Sequence, residues 1–127
     1  MGDGELFEGS VWEAIFFAAH HKLDNLTIII DNNKISMLDY CKNIKDLGSL
    51  QDKFEGFNWN TKTVDGHDVE QLYLAITSFQ KHEKSQPNVL IANTIKGKGV
   101  PQLEKDALCH IKSLKENEVD EILRTLK

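Results

Sequence analysis

The run Leu26-Thr27-Ile28-Ile29-Ile30, closed by Asp31-Asn32-Asn33, limits the chain more than any other stretch. Its near-continuous β-branched character fits a strand buried on both faces, as in a parallel sheet. The polar triplet breaks the strand because its side chains compete with the backbone for hydrogen bonds. Ahead of the strand, Val11, Ile15, Ala18, Ala19 and Leu23 fall near helical spacing, and ahead of that helix stands Gly2-Asp3-Gly4-Glu5. Met1 to Ile35 is therefore loop, helix, strand, loop. Such a unit brings both loops to the carboxyl edge of a parallel sheet, where open α/β sheets bind ligands. A plain turn is the default for the triplet; its place one helix and one strand after Asp3 adds a ligand-binding reading. Glycines allow close backbone approach. A carboxylate and an amide supply the hard oxygens that a pyrophosphate-bound divalent cation takes.

The rest of the chain repeats the alternation. Ser10-Val11-Trp12-Glu13 fits a capping box for a helix running to about Lys22. Trp12, Phe16 and Phe17 make that helix apolar on two sides. It is either wholly buried or packed between the sheet and a partner helix. His20 and His21 at its end suit the helix dipole or solvent better than a ligand role. A helical stretch is expected within Ile44 to Trp59, with Leu47, Leu50, Phe54 and Phe57 inward and Gly56 as its stop. Thr61 to Val64 is a short strand, and Asp68 caps a helix carrying Val69, Leu72, Tyr73, Ile76 and Phe79 inward to about Lys84. Asn88 to Thr94 is a third strand, followed directly by Lys96-Gly97-Lys98-Gly99. That loop is either a solvated basic turn or a source of amides and charge for an anion. A last helix spans Lys115 to Leu126, with Val119, Ile122, Leu123 and Leu126 inward. Strands alternating with helices predict an α/β fold, a parallel sheet with helices on both faces.

Composition excludes several classes. With 127 residues the chain makes one modest domain, 1–127. A net charge of -5 with dispersed basic residues argues against nucleic acid. No apolar run reaches the length of a membrane span, and no signal segment opens the chain. Cys41 and Cys109 lack ligand spacing and suit a reducing cytoplasm.

Gly-Asp-Gly followed about thirty residues later by Asn-Asn resembles the thiamine diphosphate motif. Gly2-Asp3-Gly4-Glu5, the stretch Glu8 to Ala14, Lys22-Leu23-Asp24-Asn25-Leu26, Asp65-Gly66-His67-Asp68 and Thr94 to Val100 resemble the transketolase family, over nearly the whole chain. The resemblance implies the thiamine-diphosphate-binding fold. It also implies transfer of a two-carbon ketol unit between sugar phosphates, in the pentose phosphate pathway of carbohydrate metabolism. The implied cofactors are thiamine diphosphate and Mg2+ or Ca2+. In that register Asp3 and Asn33 give side-chain oxygens to the metal and Ile35 its backbone carbonyl. Gly4 approaches the diphosphate by its amide, and Lys96 stands at the cofactor site. His110, fourteen residues after Lys96, is an incidental histidine by sequence alone. The family register makes it a catalytic and cofactor-contacting residue. Glu8 and Glu13 match glutamates near the family's dimer interface.

The sequence departs from the family in two ways. Cys109 and Ile111 flank His110, where the family has Trp and Gly. The strand leading into Gly-Asp-Gly, the upstream histidines, the glycine-rich loop and the second domain with its activating glutamate have no counterpart here. The expectation is a partial domain lacking N-terminal strands, inactive alone. It is either completed by a complementary transketolase-like chain or a homo-oligomer, or is a non-catalytic module or truncated relic of the same fold.

Overall fold

The strand expected at Leu26–Ile30 forms, beginning one residue later and ending two later. In a computed structural model that describes residues 1–37, 39–81, 85–104 and 106–125, three strands, β1 (Thr27–Asn32), β2 (Asn60–Asp65) and β3 (Asn88–Asn93), alternate with helices. The helices are α1 (Gly9–His20), α2 (Cys41–Ile44), α3 (Leu50–Gly56), α4 (Val69–Gln80), α5 (Pro101–Glu104) and α6 (Glu116–Thr125). A 3-10 turn at Asp3–Phe7 precedes α1. The sheet order is β1-β3-β2 and both pairings are parallel, with Ile30 opposite Ile91 and Thr63 opposite Ile91 on the other side.

The third strand, not the first, is central. Asn88 through Ala92 are all buried, as a strand between two neighbours and two helical layers requires. Side chains alternate across it. Val89 and Ile91 join Ile15 and Ala18 of α1, Leu50 and Phe54 of α3, Trp59 and Ile30 in one cluster. Leu90 faces the other way, onto Ala75 and Phe79 of α4, with Leu72 and Val64 beside them. Helices therefore cover both faces. Trp59 anchors the first layer, its Nε1–H donating to the Ile15 carbonyl at 3.0 Å in the core.

The first strand corrects an expectation. It lies at the sheet edge, and Ile29 is 46% exposed, because no helix among the described residues covers that part of the α4 side. Apolar composition alone does not distinguish an edge strand from a central one. The chain also places an extended segment beside it. Met1 N donates to Ile29 O at 2.9 Å and Asp31 N to Met1 O at 2.8 Å, and Gly2 bridges Asp31 in parallel. The Gly-Asp-Gly loop thus does follow strand-like pairing.

Several helices differ from their expected limits. The first begins at Gly9 with Glu8 as its cap residue, so Ser10 lies inside the first turn rather than capping it. The Ile44–Trp59 stretch holds only the end of α2 and the short α3, because Lys45 is extended and Ser49 Oγ starts a new helix by accepting Asp52 N–H at 3.1 Å. Gly56 closes it as expected. Asp68 does cap α4, accepting the Glu70 and Gln71 N–H groups at 3.0 and 3.1 Å. That helix presents Leu72, Ala75 and Phe79 to the sheet and leaves Val69 and Tyr73 exposed, so its inward face is rotated from the expected one. On α6 only Ile122 is buried, while Val119 and Leu123 are exposed. Lys84 and Leu126, expected at the ends of α4 and α6, lie outside the described residues. Among the described residues no helix is long and apolar enough to cross a membrane.

Candidate functional site

Parallel pairing puts the loops after β1 and β3 and the turn before α1 at one sheet edge. There Asp3, Gly4, Asn33, Ile35, Lys96 and His110 all line a single cavity of about 450 Å3. These six are distributed over four separate segments, and the fold gathers them. Glu5, Glu8, Asp31, Ser36 and Met37 share the lining.

Asp3 is the most constrained member. It is 2% exposed, on a turn that begins where Glu5 Oε2 accepts the Gly2 N–H at 2.6 Å. Its Oδ2 accepts the Lys34 N–H at 2.8 Å. Its Oδ1 is buried with no partner among the described residues. Burial pushes the carboxyl above the usual carboxylate range. The Lys34 amide, the Cys41 thiol, the Gly4 amide and the Lys34 charge oppose that rise. Beside it, burial and then the Asp3 charge raise the Cys41 thiol to about 11. An unpartnered buried carboxylate oxygen calls for a cation or a donor.

Asn33 is held in place by its own loop. Its Nδ2 donates to Asp31 Oδ2 at 3.0 Å, and its Oδ1 accepts the Ile35 N–H at 2.9 Å. An amide oxygen has a second lone pair, so one acceptor direction remains. Lys34 has φ 66, and this left-handed residue turns the chain so that Asn33 and Ile35 reach the same cavity. Asn32 points away from it, donating Nδ2 to Asn93 Oδ1 at 2.7 Å across the sheet, with its own Oδ1 buried and unpartnered among the described residues. Gly4 packs on the Ser36 loop, where an added Cβ would stand 3.1 Å from Ser36 Oγ.

The second half of the Lys96-Gly97-Lys98-Gly99 loop has its amides bonded within the chain. The Lys98, Gly99 and Val100 N–H groups donate to Ile95 O, Glu104 Oε1 and Gly97 O at 3.2, 2.8 and 3.0 Å. Gly97 and Gly99 have φ of 76 and 93, the left-handed region that a glycine adopts without strain, so both fit a compact turn. Lys96 is the residue of this loop that lines the cavity. His110 reaches the same cavity from the turns at 107–111.

Asp31, Thr94 and His67, given no site role from the sequence, hold these loops. Asp31 accepts from Thr94 Oγ1 as well as from Asn33. His67 Nε2 accepts the Ile95 N–H at 2.8 Å. Asp31 carried a signal as the first residue of the strand-breaking triplet, and His67 and Thr94 stood in stretches that carry the family resemblance, but nothing in the sequence pointed to these bonds. Glu13 is exposed on α1, away from the cavity, whereas Glu8 lines it. Among the described residues no three His, Cys, Asp or Glu side chains gather as a metal site. A cation here would rest on Asp3 with amide and carbonyl oxygens. That donor set fits a hard divalent ion completed by phosphate oxygens and water.

The family model described as transketolase, thiamine diphosphate binding domain, matches residues 1–126. A transketolase-like protein 2 from Bos taurus is 42% identical over 132 residues, covering 100% of this chain and 20% of its own length. A crystal structure of transketolase from Campylobacter jejuni superposes with a TM-score of 0.77 at 32% identity, over 86% of this chain and 17% of that one. A transketolase variant from Pichia stipitis gives a TM-score of 0.84 over 99% of this chain and 18% of that one; at 24% identity it speaks to the fold alone. The chain thus spans about a fifth of the length of the relatives it matches.

Proposed function

As the chain belongs to the transketolase family, within the thiamine diphosphate binding domain, we propose that it is the diphosphate-binding component of a thiamine-diphosphate-dependent ketol transferase acting on sugar phosphates. The observation that carries this reading is the convergence of Asp3, Gly4, Asn33, Ile35, Lys96 and His110 on one cavity with the Asp3 Oδ1 buried and unpartnered. Asp3 Oδ1, the free lone pair of Asn33 Oδ1 and the Ile35 carbonyl would hold Mg2+ or Ca2+. The Lys96 ammonium offsets phosphate charge as a point cation. His110 offers an imidazole that can donate to the diphosphate or hold a proton near a substrate carbonyl. Bound thiamine diphosphate supplies the carbanion chemistry of two-carbon transfer. Turnover requires groups beyond residues 1–127, since these span about a fifth of the length of the relatives.

Thermal unfolding with and without thiamine diphosphate plus Mg2+ tests this. Ligand at about a hundred times Kd raises stability by about 2.7 kcal/mol. The expected result is such a gain in the wild type and its loss in Asp3→Ala and Asn33→Ala. No gain, or an equal gain in both variants, would overturn the assignment.

A second reading is an assembly module without turnover. Phe16 and Phe17 favour it, being 62% and 58% exposed on the outer face of α1. It predicts self-association that is independent of cofactor, which size-exclusion chromatography with and without cofactor distinguishes.

A further inference from the structure

The loops after β2 and β3 are joined by a bond that the cavity residues do not account for. The backbone N–H of Ile95 donates to His67 Nε2 at 2.8 Å. An imidazole accepting at Nε2 carries its proton on Nδ1. The turn that holds His67 is itself fixed. Asp65 Oδ1 accepts the His67 N–H at 2.9 Å, and the Gly66 N–H donates to Asn93 O at 2.7 Å. This contact is so close that a Cβ on Gly66 would lie 2.4 Å from Thr94 Cγ2. From the other side, Thr94 Oγ1 donates to Asp31 Oδ1. Residues 93–95 are thus gripped by both neighbouring loops, immediately before Lys96. His67 is outside the cavity lining, whereas Lys96 is part of it.

We propose that His67 is the positioning residue for Lys96. By accepting the Ile95 N–H, it fixes the backbone from which the Lys96 ammonium reaches a diphosphate. The choice of ligand rests on the function proposed above; the hold on the loop does not. Without His67 the Ile95 N–H loses its acceptor, and Lys96 samples positions away from the cavity. A group that orients a binding residue without touching the ligand still changes affinity.

Two measurements on the full chain test this. The first is hydrogen exchange of the Ile95 amide by NMR. The expected result is exchange about tenfold faster in His67→Ala, with the Val89 and Leu90 amides unchanged and protection restored in His67→Gln, whose amide oxygen replaces the Nε2 acceptor. The second is the affinity for pyrophosphate with Mg2+ by calorimetry. His67→Ala should weaken it roughly tenfold, His67→Gln should restore it, and His67→Ala should add nothing to Lys96→Ala. Unchanged Ile95 exchange in His67→Ala, a glutamine variant that behaves like the alanine one, or a full His67→Ala loss in the Lys96→Ala background would overturn the proposal. A wild type that does not bind magnesium pyrophosphate would overturn the proposed function instead, and the exchange measurement would still decide for or against His67.

Discussion

Asp3 Oδ2 accepts the Lys34 N–H at 2.8 Å, which ties the turn before α1 to the loop after β1. The same bond leaves Asp3 Oδ1 buried without a partner among the described residues. One oxygen builds the fold and the other makes no hydrogen bond among the described residues.

Replacing that carboxylate should trade binding for stability. Burial raises the folded pKa of Asp3 above its unfolded value. Such a group contributes stability that is fully present below the unfolded pKa and is lost as pH rises through the folded pKa. At about pH 7 the charged form therefore weakens the cation-free fold. Asp3→Asn removes the charge and keeps an acceptor for the Lys34 N–H. It should stabilise the cation-free chain by about 1 kcal/mol near neutrality, with the gain vanishing below the ordinary carboxylate range. Circular dichroism melts across pH check this. An unchanged or lower melting temperature near neutrality would count against a buried, uncompensated charge.

The two thiols should react at very different rates. Cys41 is buried with its pKa raised to about 11, whereas Cys109 is half-buried. At about pH 8 the Cys41 thiolate is roughly one part in a thousand. Labelling with an aromatic disulfide should show one fast and one slow thiol, and Cys109→Ser should leave only the slow phase. A fast phase surviving in Cys109→Ser would place Cys41 in a more open setting than the fold gives it.

The core layer under α1 and α3 should be the most sensitive to truncation. Phe54 is fully buried and stacks edge-on against Trp59, with ring centres 5.6 Å apart. Phe54→Ala should cost about 3–5 kcal/mol. Trp59→Phe removes the donor to the Ile15 carbonyl and part of the ring volume, and should cost about 2–3 kcal/mol. Urea unfolding with a constant slope would read both.

Gly66 should tolerate no side chain, for a reason that is steric rather than conformational. A Cβ there meets Thr94 Cγ2 at 2.4 Å. Gly66→Ala should cost about 1–3 kcal/mol. Adding Thr94→Ser removes the facing methyl and should recover part of that loss, a positive coupling in a double-mutant cycle. Additive losses would show that the clash lies elsewhere, at Ala92 Cβ or Asn93 O, each 3.1 Å away.

Much of this was legible from residues alone. β-branched runs at Leu26–Ile30 and Asn88–Thr94, with helical spacing between, dictate parallel strands and crossover helices. Asp68 as a helix cap and Gly56 as a helix stop follow from local backbone chemistry, and the structure has both. The Gly-Asp-Gly and Asp-Asn-Asn loops fall at one edge because strand and helix lengths leave them nowhere else.

Tertiary structure decided the rest. Which apolar strand is central depends on pairing partners distant in sequence, so Ile29 is exposed and Leu90 is not. The inward face of α4 depends on where the helix meets β3, which selects Ala75 over Tyr73. The Lys98, Gly99 and Val100 amides are taken internally, the Gly99 one by Glu104, which only the folded loop reveals. His67 gained its role because a turn sixty-four residues from Asp3 and twenty-eight from Ile95 comes within hydrogen-bond reach of one backbone amide. Local sequence fixes what each segment prefers to be; long-range contacts fix which of its atoms remain free to bind.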